Sequence, residues 1–275
     1  MTAKGNTFEI NEDDISFTTQ GNGIEYWEYT FDILNRLTQV KKNGSIIAEY
    51  KYGPDGYRIG KQAHGQTIHY IFEGTEPIFE KNITTGEKKS YIYALGKHIA
   101  RVDGVIGDLN AATFYYHTDH LGSVKAVTDE TGEVVWSSDY RPFGQQFDTK
   151  NSGFEEWHSF TGKAYDPDTG LHYYNARWYS AEIGRFISID PVKDGMNWYV
   201  YASNNPLRYI DPTGMVYVPA DLDETGATDE QKFDYSKHLF TQHVGVLLSI
   251  ESNKFRGVSP LINPDQSTEN LFQYA

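Results

Sequence analysis

The stretch Tyr50-Lys51-Tyr52-Gly53-Pro54-Asp55-Gly56 contains the pattern that decides the fold. Its two tyrosines alternate with a lysine, which places both rings on one face of a strand, and a turn sequence follows at once. Related segments recur at residues 28–32, 70–74 and 91–96, at intervals of about 20 residues. A repeat of this period predicts stacked strands, each closing its core against its neighbours.

The composition agrees with a β protein. Aromatic residues make up 15% of the 275 residues, with 21 Tyr, 15 Phe and 5 Trp, and 25 glycines supply frequent turns. Aromatic side chains favour the pleated, half-buried surface of a sheet. The dipeptides Asn43-Gly44, His64-Gly65 and Thr85-Gly86 are typical of hairpin turns. We therefore predict an all-β, predominantly antiparallel fold.

Charge and residue content exclude several classes of function. The formal net charge is −14, whereas phosphate binding needs clustered Lys and Arg, so we expect no nucleic acid as a general partner. The chain has no cysteine, which excludes disulfides and thiolate zinc sites. No apolar run approaches the ~18 residues of a membrane span, and the first residues lack the apolar core of a signal peptide. We expect a fragment, or export by another route.

The central part of the chain has denser motifs. In order it reads His117-Thr118-Asp119-His120-Leu121-Gly122-Ser123, Tyr140-Arg141-Pro142-Phe143-Gly144, Leu171-His172-Tyr173-Tyr174-Asn175-Ala176-Arg177-Trp178-Tyr179, Gly184-Arg185-Phe186-Ile187-Ser188-Ile189-Asp190-Pro191 and Asn204-Asn205-Pro206-Leu207-Arg208-Tyr209-Ile210-Asp211-Pro212-Thr213-Gly214-Met215. These segments, in this order, resemble the Rhs-associated core domain. That domain ends the YD-repeat shell of bacterial Rhs and wall-associated toxins and of the C component of Tc toxin complexes.

The resemblance implies three parts. Residues 1–112 would be YD-repeat strands, residues 113–215 the core domain, and residues 216–275 a variable tail, either a toxin stub or a truncated effector. The strands would form the end of a β-shell, and the core domain would curl inward as its plug. Residues 230–252 have apolar positions at helical spacing, so a short, partly helical tail is expected.

The resemblance also implies a self-cleaving site at two Asp-Pro elements. Aspartyl proteolysis needs two close carboxylates whose repulsion separates their pKa values, so that one stays protonated while the other activates a water. By the resemblance, Asp190 and Asp211 are these carboxylates, and the chain is cut between Met215 and Val216. Such a site would act once, on its own chain.

Three basic residues bear on this site. Arg177 and Arg185 match basic positions of the family, and either is suited to hold a carboxylate ionised through a bidentate contact. Lys193 stands where the family usually has glycine, and the interval from Asp190 to Asp211 is slightly shorter than usual. A positive charge near Asp190 favours its ionised form, which predicts slow or absent cleavage.

An alternative interpretation gives the aspartates a structural role only. Asp-Pro is an ordinary turn sequence, because aspartate accepts hydrogen bonds from its own turn and proline fixes φ. The segment Asp166-Pro167-Asp168-Thr169-Gly170 is interpreted as such a turn.

Histidines offer weaker candidates for a site. His117, Asp119 and His120 lie close together, but a zinc site needs further convergent ligands, and the family resemblance assigns this stretch to shell structure. His238 and His243 are not at the spacing that places two ligands on one helix face. We therefore expect no metal and no cofactor.

The expected function is that of the C-terminal part of a toxin-encapsulating shell, secreted or delivered to a cell surface. Its expected partners are the upstream YD-repeat shell, its own C-terminal segment as enclosed cargo, and an immunity protein or secretion-system component. One alternative is a non-enzymatic cell-surface module for adhesion or carbohydrate binding, with tyrosine-rich strands as the contact surface. Another is an orphan module, displaced from a longer gene and without present activity.

Overall fold

The computed structural model describes residues 7–10, 15–20, 24–94, 97–105, 107, 109–193 and 196–220. The predicted helix at 230–252, together with His238 and His243, lies outside the described residues. Within the described part, no helix is long and apolar enough to cross a membrane.

A single antiparallel sheet of fourteen strands dominates the described residues, and every strand pairs with the next one in the chain. The strands are β1 (Thr7–Ile10), β2 (Ile15–Gln20), β3 (Ile24–Phe31), β4 (Leu37–Lys42), β5 (Ser45–Tyr52), β6 (Arg58–Ala63), β7 (Gln66–Glu73), β8 (Glu76–Asn82), β9 (Lys88–Ala94), β10 (Lys97–Asp103), β11 (Ala112–Thr118), β12 (Val124–Thr128), β13 (Val134–Tyr140) and β14 (Gln146–Asn151). The predicted all-β, antiparallel fold is confirmed.

Hairpin turns lie where the dipeptides predict them. Asn43 and Gly44 have φ of 51° and 78°, and His64 and Gly65 have φ of 49° and 74°. Two consecutive residues at positive φ characterise the two-residue turn whose twist matches that of the flanking strands. Lys42 therefore pairs directly with Ser45 in the β4–β5 hairpin.

Residues 154–220, here called the plug, form a second layer against one face of the sheet. They contain β15 (Ala164–Asp166), β16 (Leu171–Tyr174), β17 (Arg177–Ser180) and β18 (Arg185–Phe186) in one small sheet, and β19 (Tyr209–Ile210) with β20 (Val218–Pro219) in another. Single 3₁₀ turns lie at Phe160–Gly162 and Ala202–Asn204.

The core between sheet and plug is aromatic. One cluster of buried residues joins Tyr29, Leu37, Val40, Ala48 and Tyr50 of the sheet to Leu171, Tyr173, Trp178 and Ile187 of the plug. Burying one large apolar side chain stabilises a fold by roughly 1.5–3 kcal/mol, so this cluster is a major attachment of the plug.

Asp166 adds a polar attachment. Its turn is the one predicted, since the backbone N–H of Gly170 donates to its carbonyl oxygen at 2.8 Å. Its carboxylate also accepts hydrogen bonds from Tyr50 Oη at 2.7 Å and Lys61 Nζ at 2.8 Å, both in the sheet. The aspartate therefore links the two layers besides shaping a turn, a role that the sequence interpretation did not include.

The sheet continues across the predicted boundary between residues 112 and 113. β11 spans Ala112–Thr118 and pairs with β10 on one side and β12 on the other. The division into 1–112, 113–215 and 216–275 stays a prediction.

Candidate active site

Arg177 lies at the centre of the predicted site. It begins β17, directly after the Asn175-Ala176 turn, and pairs with Tyr174 of β16. Asn175 has φ of 58°, a left-handed conformation that asparagine tolerates. The Arg177 side chain is buried, and its guanidinium carbon lies 3.7 Å from the centre of the Phe186 ring. The β16–β17 hairpin thus holds a cation inside the plug, stacked on an aromatic face.

Both predicted carboxylates contact this guanidinium. Arg177 Nη1 lies 3.3 Å from Asp190 Oδ2, and Arg177 Nη2 lies 3.3 Å from Asp211 Oδ2. All three side chains are buried, with exposed fractions of 3% for Arg177, 6% for Asp190 and 3% for Asp211. The fold therefore brings together three of the residues selected from the sequence.

The two Asp-Pro elements form similar turns. Asp211 Oδ1 accepts hydrogen bonds from the backbone N–H groups of residues 213–215, at 3.2, 2.8 and 3.1 Å. Asp190 Oδ1 accepts one from the backbone N–H of Val192 at 2.8 Å. In each carboxylate, one oxygen is held by the turn and the other faces Arg177.

The fourth residue of both turns is left-handed. Gly214 has φ of 74° and Lys193 has φ of 56°. A Cβ at Gly214 would lie 2.3 Å from the carbonyl oxygen of Tyr174, so only glycine fits there. The Lys193 ammonium lies 5.7 Å from the centre of the Trp198 ring, and it makes no ion pair with the residues that the structure describes. Lys193 therefore adopts a glycine-like conformation outside the charge cluster.

Burial has the largest effect on the pKa values of Asp211 and Arg177. Desolvation raises the pKa of Asp211 to about 6, although Arg177 and three backbone N–H groups oppose the shift. Desolvation also lowers the pKa of Arg177, against the attraction of Asp211 and Asp190. Both shifts have the same cause, because burial disfavours each charged form. Asp211 is therefore protonated in a pH range where an exposed aspartate is ionised.

The predicted cleavage bond follows directly on this cluster. Arg177 Nε donates to the carbonyl oxygen of Gly214, and the backbone N–H of Met215 donates to Asp211. Met215 is buried and Val216 is half-buried. The segment is closed on its far side by the pairing of Ile210 with Val218 in the β19–β20 hairpin.

Arg185 lies apart from the carboxylates. It sits in β18, where its backbone pairs with Ser180 and with Val200. Its neighbour Phe186 lies under Arg177, and successive side chains of a strand point to opposite faces. Among the described residues, Arg185 forms no ion pair with Asp190 or Asp211, so its predicted role has no contact to support it.

Trp198 and Phe186 were missed as members of the site. The carbonyl oxygen of Trp198 accepts hydrogen bonds from Arg177 Nη1 and from the backbone N–H of Asp190, both at 3.0 Å. Any residue type can supply a backbone carbonyl, so nothing in the sequence identifies Trp198 as a member of the site. The signal for Phe186 was its position directly after Arg185 in the motif that leads to Asp190.

The residues of the histidine motif bind different partners. His117 Nε2 lies 3.1 Å from Thr128 Oγ1, whereas His120 Nε2 lies 3.3 Å from the carbonyl oxygen of Leu207. Asp119 Oδ1 accepts hydrogen bonds from the N–H groups of its own turn. In the described ranges, no group of three or more His, Asp or Glu side chains is placed to hold a metal ion.

Known proteins match both the sequence and the fold. A sequence model of the Teneurin YD-shell family matches residues 1–207. The tRNA nuclease WapA of Bacillus subtilis is 31% identical over 220 residues, covering 75% of this chain and 9% of the relative. The toxin protein Tse5 of Pseudomonas aeruginosa is 36% identical over 208 residues, covering 68% of this chain and 15% of the relative.

A solved structure also matches the fold of this chain. The crystal structure of TcdB2-TccC3-Cdc42 matches with a TM-score of 0.57 and 26% identity, covering 69% of this chain and 10% of the matched chain. This chain thus spans less than a sixth of the length of these proteins. The family match over residues 1–207, together with the continuous antiparallel sheet, shows that the chain belongs to the Teneurin YD-shell family, within the Rhs/YD-repeat proteins that its motifs predict.

Proposed function

We propose that this chain is the C-terminal part of a toxin-enclosing shell, and that Asp190 and Asp211 cut it between Met215 and Val216. The observation that carries the proposal is the shared guanidinium of Arg177, which faces both carboxylates inside the plug. Desolvation raises the pKa of Asp211 to about 6, so Asp211 is the carboxyl group that can hold a proton beside Asp190. One protonated carboxyl beside one carboxylate is what a catalytic pair requires.

In the proposed reaction, the Asp190 carboxylate takes a proton from a water molecule, and the water oxygen attacks the carbonyl carbon of Met215. Protonated Asp211 gives its proton to the carbonyl oxygen, which forms a neutral tetrahedral intermediate. When the intermediate collapses, the C–N bond breaks and the Val216 nitrogen takes the proton held by Asp190. The hydroxyl proton returns to Asp211, leaving a carboxyl group on Met215 and an amine on Val216.

The proposed consequence is a segment that is covalently free but still enclosed. The partners would be the upstream YD-repeat shell and the chain's own residues after the cut, with an immunity protein or a secretion-system component acting on the whole toxin. WapA and Tse5, whose names describe a nuclease and a toxin, support this assignment. The whole protein would be secreted or delivered to a cell surface.

Intact mass spectrometry of the purified chain tests the proposal. We expect two species split after Met215 in the wild type, and one uncut species in Asp190→Asn and in Asp211→Asn. Because Asp211 must be protonated, cleavage should slow about tenfold for each pH unit above about 6. An Asp211→Asn chain that is cut like the wild type excludes the proposed site.

Asp129→Asn provides the matched control. Asp129 also shapes a turn, with Oδ1 accepting hydrogen bonds from the N–H groups of Thr131 and Glu133 at 2.8 and 3.0 Å, but it is only half-buried and lies between β12 and β13, outside the plug. This variant should be cut at the wild-type rate. Equal loss of cleavage in all three variants would mean that general damage to turns is responsible.

The three turn hydrogen bonds on Asp211 favour one second candidate, a purely structural aspartate pair in a non-enzymatic surface module. In that case the wild-type chain stays uncut at every pH. Asp211→Asn would then lower the melting temperature without changing the mass pattern.

A further inference from the structure

Two histidines face each other where the plug meets the sheet. His98 lies on β10 and His158 in the plug, with ring centres 4.7 Å apart and ring planes at 71°. His98 also stacks on Tyr116 of β11 at 3.7 Å and on Tyr93 of β9 at 4.9 Å. Tyr91 of β9 contacts both imidazoles, at 5.4 and 4.7 Å. Tyrosine rings from two strands, β9 and β11, therefore enclose the pair.

Both imidazoles are buried. Only 4% of His98 and 3% of His158 are exposed. His98 Nε2 lies 3.1 Å from the carbonyl oxygen of Ala100, which can only accept, so Nε2 carries the proton and Nδ1 the lone pair. Within the described residues, His98 Nδ1 and both ring nitrogens of His158 have no hydrogen-bond partner. A proton added to His98 Nδ1 would create a buried charge without an acceptor.

The charged groups around the pair do not compensate such a proton. Arg101, on the same strand as His98, is buried and pairs with Asp103 at 2.6 Å. Glu156 faces His158, with Glu156 Oε1 3.7 Å from His158 Nδ1. The other carboxylate oxygen of Glu156, Oε2, accepts a hydrogen bond from the Tyr116 hydroxyl at 2.5 Å and lies 3.6 Å from Arg101 Nη1. The other titratable groups that act on the surrounding tyrosines are Glu76 and Glu80 of β8.

We propose that His98 and His158 form an acid-sensitive latch between sheet and plug, closed while the His98 imidazole is neutral and packed on His158, and opened by protonation of His98. The latch goes beyond autoproteolysis and stands on contacts that involve neither Asp190 nor Asp211.

The pH window follows from the burial of His98. Desolvation, followed by repulsion from His158 and Arg101, holds the pKa of His98 well below its usual range. When the plug opens and exposes His98, the pKa of its imidazole returns to the ordinary histidine value of about 6.5. The open state therefore binds the proton more tightly than the closed state. The latch therefore stabilises the closed state fully above about pH 6.5 and loses this effect as the pH falls below that value.

A cavity next to the histidine pair leaves space for the His158 ring to move. His158 and Tyr91 belong to the lining of a cavity of about 510 Å³ between the sheet and the plug. Charged side chains such as Lys61, Glu80 and Asp168 also line this space, so it suits water. When the latch opens, the His158 ring has a polar space beside it into which it can turn.

Hydrogen exchange at pH 7.5 and 5.5 tests the latch, with labelling times scaled for the intrinsic exchange rate. In the full chain we expect protection of residues 154–159 to fall about tenfold at pH 5.5, the factor for one histidine one unit below 6.5. His98→Phe combined with His158→Phe keeps ring packing and removes titration, so protection should then be equal at both pH values. Unchanged protection in the wild type overturns the proposal.

Three further variants make the result specific. His98→Phe alone should remove most of the pH effect, and it serves as the test if the double variant fails to fold. His117→Gln changes an exposed histidine of β11 and should respond to acid like the wild type. His172, buried inside the plug with its pKa lowered to about 3, is the rival sensor. If His172→Phe abolishes the loss of protection and His98→Phe does not, the latch is excluded.

Discussion

Among single residues, Arg177 allows two carboxylates to be buried in one small plug. Its guanidinium faces Asp190 and Asp211 at 3.3 Å each, stacks on Phe186, and donates to the backbone at Gly214 and Trp198. Each of its three nitrogens therefore has a partner. A lysine has a single ammonium and cannot reproduce this planar set of contacts.

Removing this cation should be costly. We expect Arg177→Met to lower the free energy of unfolding by about 3–5 kcal/mol, because two buried carboxylates lose their shared partner while the side-chain volume is kept. Urea unfolding followed by circular dichroism measures the change.

Arg185→Met is the matched control for this measurement. Arg185 forms no ion pair with the described residues, so its removal should change the free energy of unfolding by about 1 kcal/mol or less. Equal losses in both variants would show that the Arg177 ion pairs contribute nothing beyond general packing.

At the level of elements, the two Asp-Pro turns are the parts of the plug that fix the site. Each turn holds one carboxylate oxygen through backbone N–H groups and ends on a left-handed residue, Gly214 in one case and Lys193 in the other. The second turn also packs against β16, since the Gly214 backbone leaves no room for a side chain next to the Tyr174 carbonyl.

Gly214→Ala should therefore cost more than an ordinary turn glycine. At Gly44, φ is 78° and no atom lies within 4 Å of an added Cβ, so alanine meets only the left-handed penalty of about 1–2 kcal/mol. At Gly214 the clash with Tyr174 adds about 1–3 kcal/mol of overpacking. Melting curves of Gly44→Ala and Gly214→Ala give the comparison, and similar melting temperatures would contradict the packing argument.

The hairpin turns and the Asp-Pro turns also show which features can be predicted from the sequence. Asn43-Gly44 and His64-Gly65 mark hairpins because two residues at positive φ have a strong residue preference, and tyrosine alternation marks the strand faces. The motif resemblance identifies Asp190 and Asp211, and the fold brings them to one guanidinium. The carbonyl of Trp198, the attachment of Asp166 to Lys61 and the facing histidines arise from contacts between layers, which local patterns do not encode.

At the scale of the whole molecule, sheet and plug depend on each other. A sheet with one uncovered face has nothing to bury its aromatic side chains against, and its core cluster is completed by plug residues such as Leu171, Tyr173 and Trp178. Hydrogen bonds cross the same boundary, from Trp178 Nε1 to Tyr52 Oη at 3.0 Å and from the Arg58 backbone to Tyr173 Oη at 2.8 Å. The plug is thus the second layer of one core.

This dependence predicts the behaviour of two shortened chains. A chain ending at Gly153 keeps all fourteen strands but loses the plug, so we expect no cooperative thermal transition in circular dichroism and exposed apolar surface that binds a hydrophobic dye. A chain ending at Ala227 keeps the whole compact unit that spans Met1–Ala227 and should melt cooperatively, near the temperature of the full chain. Cooperative melting of the Gly153 chain at that temperature would mean that the strands form a stable layer alone, and that the plug only occupies a finished sheet.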